Sequence, residues 1–285
     1  MPRDVDEKAL FERFSNKYKF IKSDLLIKIE RSNCGCDYGA TSFATVKQVN
    51  DLGDRLELGP DKRLLEVGAG SGWPGLYLAR KTGCDVTLTD LPIEGLLIAR
   101  ARAIADNLTG TSSMTIASGT ALPFRQGWFH AISHSDVLCC LADKLSVLRA
   151  CRSVVHEEGK MIFSVILIPP NLSESEYRQA AENGPSFISA EDSYPNLLQQ
   201  ADWKLVDQIN LTTEFLETLQ VGLANELNHA AELEKLLGKE ESSTRLARSR
   251  VYITALEQGL IKRELFHAVP ATGRDRIDTR QIDGL

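Results

Sequence analysis

Through the middle of the chain, short apolar runs alternate with amphipathic stretches, the pattern of parallel strands covered by helices on both faces. The spacing predicts strands over 63–67, 85–89, 114–117, 128–133 and 160–168, with helices over 75–82, 93–107 and 143–155 between them. Leu96, Leu97, Ala99, Ala103 and Ile104 form the apolar stripe of the second helix, and Leu145, Leu148, Cys151 and Val155 that of the third. The run 160–168 is almost continuously apolar, as a strand buried on both faces should be. The flanks read differently. Residues 6–30 are amphipathic and rich in Lys, and a helix beginning near Thr41 carries Phe43, Val46, Val49, Leu52 and Leu56 on one face. Turn formers fill 32–42 between them. After Pro169 and Pro170 the pattern gives a helix over 174–182, a strand over 204–210 and one long helix from Thr212 or Thr213 to a stop at Gly238. That long helix fits a cap over the sheet domain, or a partner helix of a second subunit. A helix over 243–258 and a closing strand over 260–269 follow. The expected organisation is an N-terminal helical lid (1–60), a ligand-binding core (61–170), a helical cap with the closing strands (171–270) and a disordered tail (271–285).

Composition narrows the field. In 285 residues, 43% hydrophobic and 25% charged, there is material for a sizeable core. Acidic residues outnumber basic ones 39 to 33, a net charge of −6 with no local basic patch, so a nucleic-acid partner is not expected. No apolar run approaches the roughly 18 residues of a membrane span, and residues 1–8 lack a signal sequence, so the expected location is cytoplasmic. The six cysteines then read as thiols: Cys34 and Cys36 in a C-x-C, Cys139 and Cys140 adjacent, Cys84 and Cys151 alone. None has zinc-site spacing, and no metal is expected.

The strongest signal is Leu64-Leu-Glu-Val-Gly-Ala-Gly-Ser-Gly-Trp-Pro-Gly75, a strand running into a glycine-rich turn that opens a helix. Gly68, Gly70 and Gly72 let a ligand approach the backbone closely. Gly70, Gly72 and Gly75 also satisfy the dinucleotide fingerprint, so glycine spacing alone leaves the ligand class open. Glu66 is expected to decide it, since a carboxylate at the turn repels a pyrophosphate and attracts a cationic amino acid. The expected cofactor class stands on this carboxylate, and collapses if Glu66 turns into the interior. Asp90, ending the second strand, is placed to accept hydrogen bonds from ribose hydroxyls, as in both cofactor classes.

Together with Leu122-Pro-Phe124, Ser135-Asp-Val-Leu138 and the helix-to-strand joint from Leu148 to Gly159, these motifs resemble class I S-adenosylmethionine-dependent methyltransferases. The likeness is to their small-molecule branch, of the ubiquinone/menaquinone or glycine/sarcosine type. It implies an α/β fold, a Rossmann-like doubly wound sheet of seven mixed strands, with the last strand antiparallel. It also implies S-adenosyl-L-methionine as cofactor and a small-molecule acceptor methylated on N, O or C. Carried onto this chain, Glu66, Gly68, Gly70 and Gly72 cradle the methionine end, Asp90 holds the ribose, and Leu91 packs on the adenine. Gly119, Thr120 and Ala121 occupy the adenine-binding segment, with Thr120 in place of the usual acid, and Ser135 lies beside the sulfonium.

Candidate chemistry comes from the same region. His134 is the best-placed titratable group for a general base, or else a core histidine. Asp136 either orients it, binds an amine acceptor or caps a helix. Tyr38, in the turn-rich lid segment, either meets the acceptor or sulfonium or packs in the core. Trp73 either walls the pocket or anchors the first helix. Cys34 or Cys36 approaching Cys139 and Cys140 would resemble thiol-dependent metalloid methyltransferases, though the spacing does not match. The competing classes are an NAD-dependent oxidoreductase and a non-catalytic, cofactor-binding regulatory protein. Pattern alone fits either a monomer or a homodimer.

Overall fold

The computed structural model describes residues 7–39 and 41–272. The N-terminal stretch folds as α1 (Glu7–Tyr18), α2 (Asp24–Cys34) and α3 (Val46–Arg55). Ser23 caps α2 by accepting the Leu26 N–H, and Thr45 and Gln48 form a reciprocal capping box on α3. The core follows as β1 (Arg63–Val67), α4 (Gly75–Thr82), β2 (Asp85–Asp90), α5 (Ile93–Ala105), β3 (Ser112–Ile116), β4 (Phe129–Ser135), α6 (Lys144–Val154) and β5 (Val155–Leu167). The remainder is α7 (Glu174–Asn183), α8 (Tyr194–Gln200), β6 (Trp203–Asn210), α9 (Thr212–Asn228), α10 (Ala230–Leu237), α11 (Lys239–Glu257) and β7 (Lys262–Pro270).

The strands form one seven-stranded sheet in the order β3-β2-β1-β4-β5-β7-β6. The first five are parallel, and β7 runs antiparallel to both β5 and β6. Strand alternation divides the core. Leu65, Val67, Ile132 and Phe163 pack on one face with α6, α8 and α11, while Leu64, Ile162, Val86 and Leu88 pack on the other with α3, α4 and α5. The expected mixed sheet is the one found.

Three local expectations are corrected. The long helix over 212–238 is two, because His229 (φ −113°, ψ 21°) leaves helical geometry and serves α9 as C-cap and α10 as N-cap. The amphipathic N-terminal stretch is also two helices, separated by a turn in which Ser23 caps the second. α8 was not expected from the pattern. Its Ser193 cap and Pro195 in the first turn are ordinary start signals on a helix too short to show a period. Of the expected disordered tail, residues 273–285 lie outside the described residues.

Candidate active site

The parallel strands end where β1 gives way to the glycine turn. The Gly68 and Ala69 N–H groups donate to the Thr89 carbonyl at 2.8 and 3.0 Å, folding the turn against β2. Gly68 and Gly70 have φ of 67° and 52°. A Cβ on Gly68 would lie 2.5 Å from Val137 Cγ2, and one on Gly70 would lie 2.6 Å from the Tyr18 hydroxyl. Both conformation and space therefore demand glycine there. Asp90 fastens the turn from the next strand. Its carboxylate accepts the Gly70 N–H at 2.7 Å through one oxygen and the Leu91 N–H at 2.7 Å through the other. Desolvation raises its pKa, and each oxygen keeps acceptor capacity for a further donor.

Gly68, Gly70, Trp73, Asp90, Leu91 and Ser135 line one cavity of about 650 Å³, closed over by residues of α1, α2, α9 and α11. The N-terminal segment is pinned directly onto the turn. Ser71 Oγ donates to the Gly39 carbonyl at 3.1 Å, and Trp73 Nε1 donates to the Ala44 carbonyl at 3.0 Å. Trp73 is thus both wall and anchor. The two glycines make room for Val137 and Tyr18 against the turn, and beside them the Asp90 carboxylate borders the cavity with acceptor capacity that fits the hydroxyls of a ligand.

Other expected site residues lie elsewhere. Glu66 does not line the cavity: it is 1% exposed, accepts a hydrogen bond from the Ser133 hydroxyl, and faces α4 at Gly75. It shares the strand parity of Leu64, and parity points it beneath the helix. Burial pushes its pKa up to about 8, so near neutral pH it is held protonated and exerts no field at the turn. The electrostatic discrimination expected of Glu66 therefore fails, and the ligand class has to rest on other observations.

His134 is not placed to act as a base. It is fully buried and stacked on Phe163 (4.6 Å, 16°), with neither ring nitrogen hydrogen-bonded. Desolvation pushes its pKa down to about 3. Removing two unsatisfied polar atoms should help folding. We expect His134→Phe to stabilise by about 1–2 kcal/mol at pH 8, measured by urea denaturation. The folded pKa lies below the ordinary 6.5, so the native contribution is present above pH 6.5 and lost as pH falls toward 3. The advantage of the variant should therefore widen at pH 5.

Tyr38 is a clamp within the lid and does not line the cavity. Its ring packs on Trp73 at 5.4 Å, the Arg102 guanidinium sits 4.2 Å above it, and its hydroxyl donates to Asp106 at 3.2 Å. Gly119, Thr120 and Ala121 lie in the turn after β3, outside the cavity lining, where Thr120 Oγ1 shares a hydrogen bond with Ser118 Oγ at 2.9 Å. Asp136 neither orients His134 nor caps a helix. It forms a two-pronged pair with Arg263, Nε to Oδ1 at 2.9 Å and Nη2 to Oδ2 at 3.0 Å. Arg263 was missed by sequence reasoning. The signal was a charge at the same parity as Leu265 and Val269, on a face of β7 whose other polar residue is His267.

Of the cysteines, Cys34, Cys139 and Cys140 line the cavity. Cys34 and Cys36 stand 3.0 Å apart, Cys36 donates to Glu30 at 3.0 Å, and the donor atoms of Glu30, Cys34 and Cys36 lie within 4.8 Å of one another. This grouping of possible metal ligands was not foreseen from spacing. Its carboxylate is already engaged by the Gly39 N–H at 2.6 Å.

A family model described as a methyltransferase domain matches residues 65–163. Methyltransferase GfsG of Streptomyces halstedii is 25% identical over 174 residues, 59% of this chain and 62% of that protein. The chain thus spans less than two thirds of that relative, and under half of a matching phosphoethanolamine N-methyltransferase of Arabidopsis thaliana. Among solved structures, phosphoethanolamine N-methyltransferase 2 of Haemonchus contortus superposes with a TM-score of 0.76 at 14% identity, over 95% of this chain and 62% of that one. The [4+2]-cyclase SpnF superposes at 0.73 and 14% identity, over 95% and 99% of the two chains. At such identities the structural likeness establishes the fold, and the family match is to methyltransferases, not to oxidoreductases. Residues 65–163 of this chain match a methyltransferase domain, and the strand order is that of the seven-stranded fold its structural neighbours share.

Proposed function

We propose that the chain is an S-adenosylmethionine-dependent methyltransferase acting on a small-molecule acceptor. The observation that carries this reading is Asp90, which holds the glycine turn by one hydrogen bond per oxygen and still borders the cavity. Its remaining acceptor capacity suits two adjacent ribose hydroxyls. In this reading Gly68 and Gly70 admit the methionine portion to the backbone, Leu91 packs on the adenine, and Trp73 and Ser135 border the reacting centre. When bound, the cofactor supplies an electrophilic methyl group on a sulfonium. The work of the protein is to align the acceptor with it and keep water out. The described part of the lid, residues 7–39 and 41–60, supplies that closure through the Ser71–Gly39 and Trp73–Ala44 contacts. Glu66 acts as a buried neutral brace between β1 and β4.

The partners proposed are the cofactor and a small acceptor, with no nucleic acid, in a monomer or homodimer acting in the cytoplasm. Among the described residues no helix is long and apolar enough to cross a membrane.

Calorimetry with S-adenosylhomocysteine tests the assignment. Asp90→Ala should weaken binding by about 1–3 kcal/mol, roughly five- to 150-fold, since ribose donors and the turn lose their acceptor together. Unchanged affinity, or binding of NADH in its place, would refute the placement.

A further inference from the structure

The cavity extends beyond the residues assigned to the cofactor, and that part has an unusual charge. Arg13 and Lys17 of α1 and Arg245 and Arg248 of α11 all line it. They are close enough that Arg248, Arg13 and Arg245 all act electrostatically on Lys17. Among the described residues, Arg245 alone of the four has a salt bridge, to the buried Glu226. Among the described residues no carboxylate is ion-paired with Arg13, Lys17 or Arg248. Glu241 is the other acid on this stretch of the lining, and it is exposed. Three guanidinium groups and Lys17, which titrates near neutrality, face two carboxylates, an excess of between one and two positive charges. In a chain of net charge −6, this cluster is not the background.

A solvated basic helix face would look different. Burial and like-charge crowding push Lys17 down to about 7 and lower Arg248, so the fold holds these two against their preference, with the exposed Arg13 beside them. Groups kept in such a position cost stability, which is characteristic of binding sites. Apolar surface stands beside them: Phe14, over which both Arg13 (5.3 Å) and Lys17 (5.5 Å) sit, with Phe11, Leu237 and Tyr252 also on the lining.

Building on the methyltransferase reading, we propose that this part of the cavity is the acceptor subsite, and that it takes a molecule carrying a phosphate-type dianion on a small apolar body. Two guanidinium groups offer paired donors to phosphate oxygens, and Lys17 adds a point charge. A dianion supplies the counter-charge this cluster lacks and favours the protonated form of Lys17, and Phe14 and Tyr252 receive the apolar part.

The test is calorimetry on the full chain, with and without saturating S-adenosylhomocysteine, at low ionic strength, using phenyl phosphate and benzyl alcohol as probes. Phenyl phosphate should bind at least tenfold more tightly than benzyl alcohol. Arg248→Met and Lys17→Met should each weaken phenyl phosphate at least tenfold while leaving S-adenosylhomocysteine affinity within twofold, and Arg248→Lys should keep most of the binding. Without ligand, Arg248→Met should melt no lower than the parent protein, because the arginine it removes has no partner. The subsite is overturned if the two probes bind alike, if both methionine variants bind phenyl phosphate normally, or if phenyl phosphate fails to bind a protein that takes up S-adenosylhomocysteine. Phenyl phosphate binding to a protein that does not bind S-adenosylhomocysteine would instead leave the anion site standing and remove the methyltransferase reading.

Discussion

Replacing Arg263 by methionine is expected to cost about 3–5 kcal/mol of folding stability, the range for breaking one side of a buried ion pair. Arg263 is 1% exposed, and its guanidinium meets both Asp136 oxygens, Ser164 Oγ at 3.0 Å and Gln48 Oε1 at 3.3 Å. Without it, Asp136 remains buried with no cation, on a residue already at φ 57°. The damage should reach the site, because Asp136 follows Ser135 at the end of β4 and the pair ties that end to β7. The double variant Asp136→Asn/Arg263→Met should recover most of the loss, since removing both charges leaves neither uncompensated. Urea denaturation of the wild type, both single variants and the double variant gives the coupling. A double variant as unstable as the sum of the singles would show that the pair is not what holds this joint.

Glu66→Gln should stabilise the protein increasingly as pH rises. Burial holds the folded pKa near 8 against an ordinary value of 4.5, so the folded chain keeps a proton that the unfolded chain releases. The contribution of Glu66 to stability is therefore intact below pH 4.5, declines through the interval and is lost above pH 8. Glutamine cannot ionise, and its carbonyl can still accept the Ser133 hydroxyl. The variant should match the wild type in acid and exceed it by about 3–5 kcal/mol above pH 8, at about 1.4 kcal/mol per pH unit crossed. Denaturation midpoints at pH 4.5, 7 and 9 measure this, and a pH-independent difference would mean that Glu66 is ionised in the native state. The same reading explains why Glu66 cannot select a sulfonium over a pyrophosphate: a neutral group under α4 has no charge with which to choose.

Legible in the sequence were the core strands and their intervening helices, though not α8 or the breaks before Ser23 and at His229, together with the glycine turn, the acid ending β2 and the likeness to class I methyltransferases. These signals are local: a period of two or of 3.6, a residue without a side chain where φ must be positive, a carboxylate at a strand end. Which side chains share the cavity depended on packing between distant segments. Glu66 and His134 sit beside the right turns, yet strand parity sends one under α4 and the other onto Phe163. Tyr38 is spent on Arg102 and Trp73, and the long cap helix breaks at His229. The Asp136–Arg263 pair spans 127 positions, and the cluster of Arg13 and Lys17 with Arg245 and Arg248 joins the two ends of the chain. No local period carries such information, because whether a charge is paired, buried or idle depends on what a distant segment brings to it.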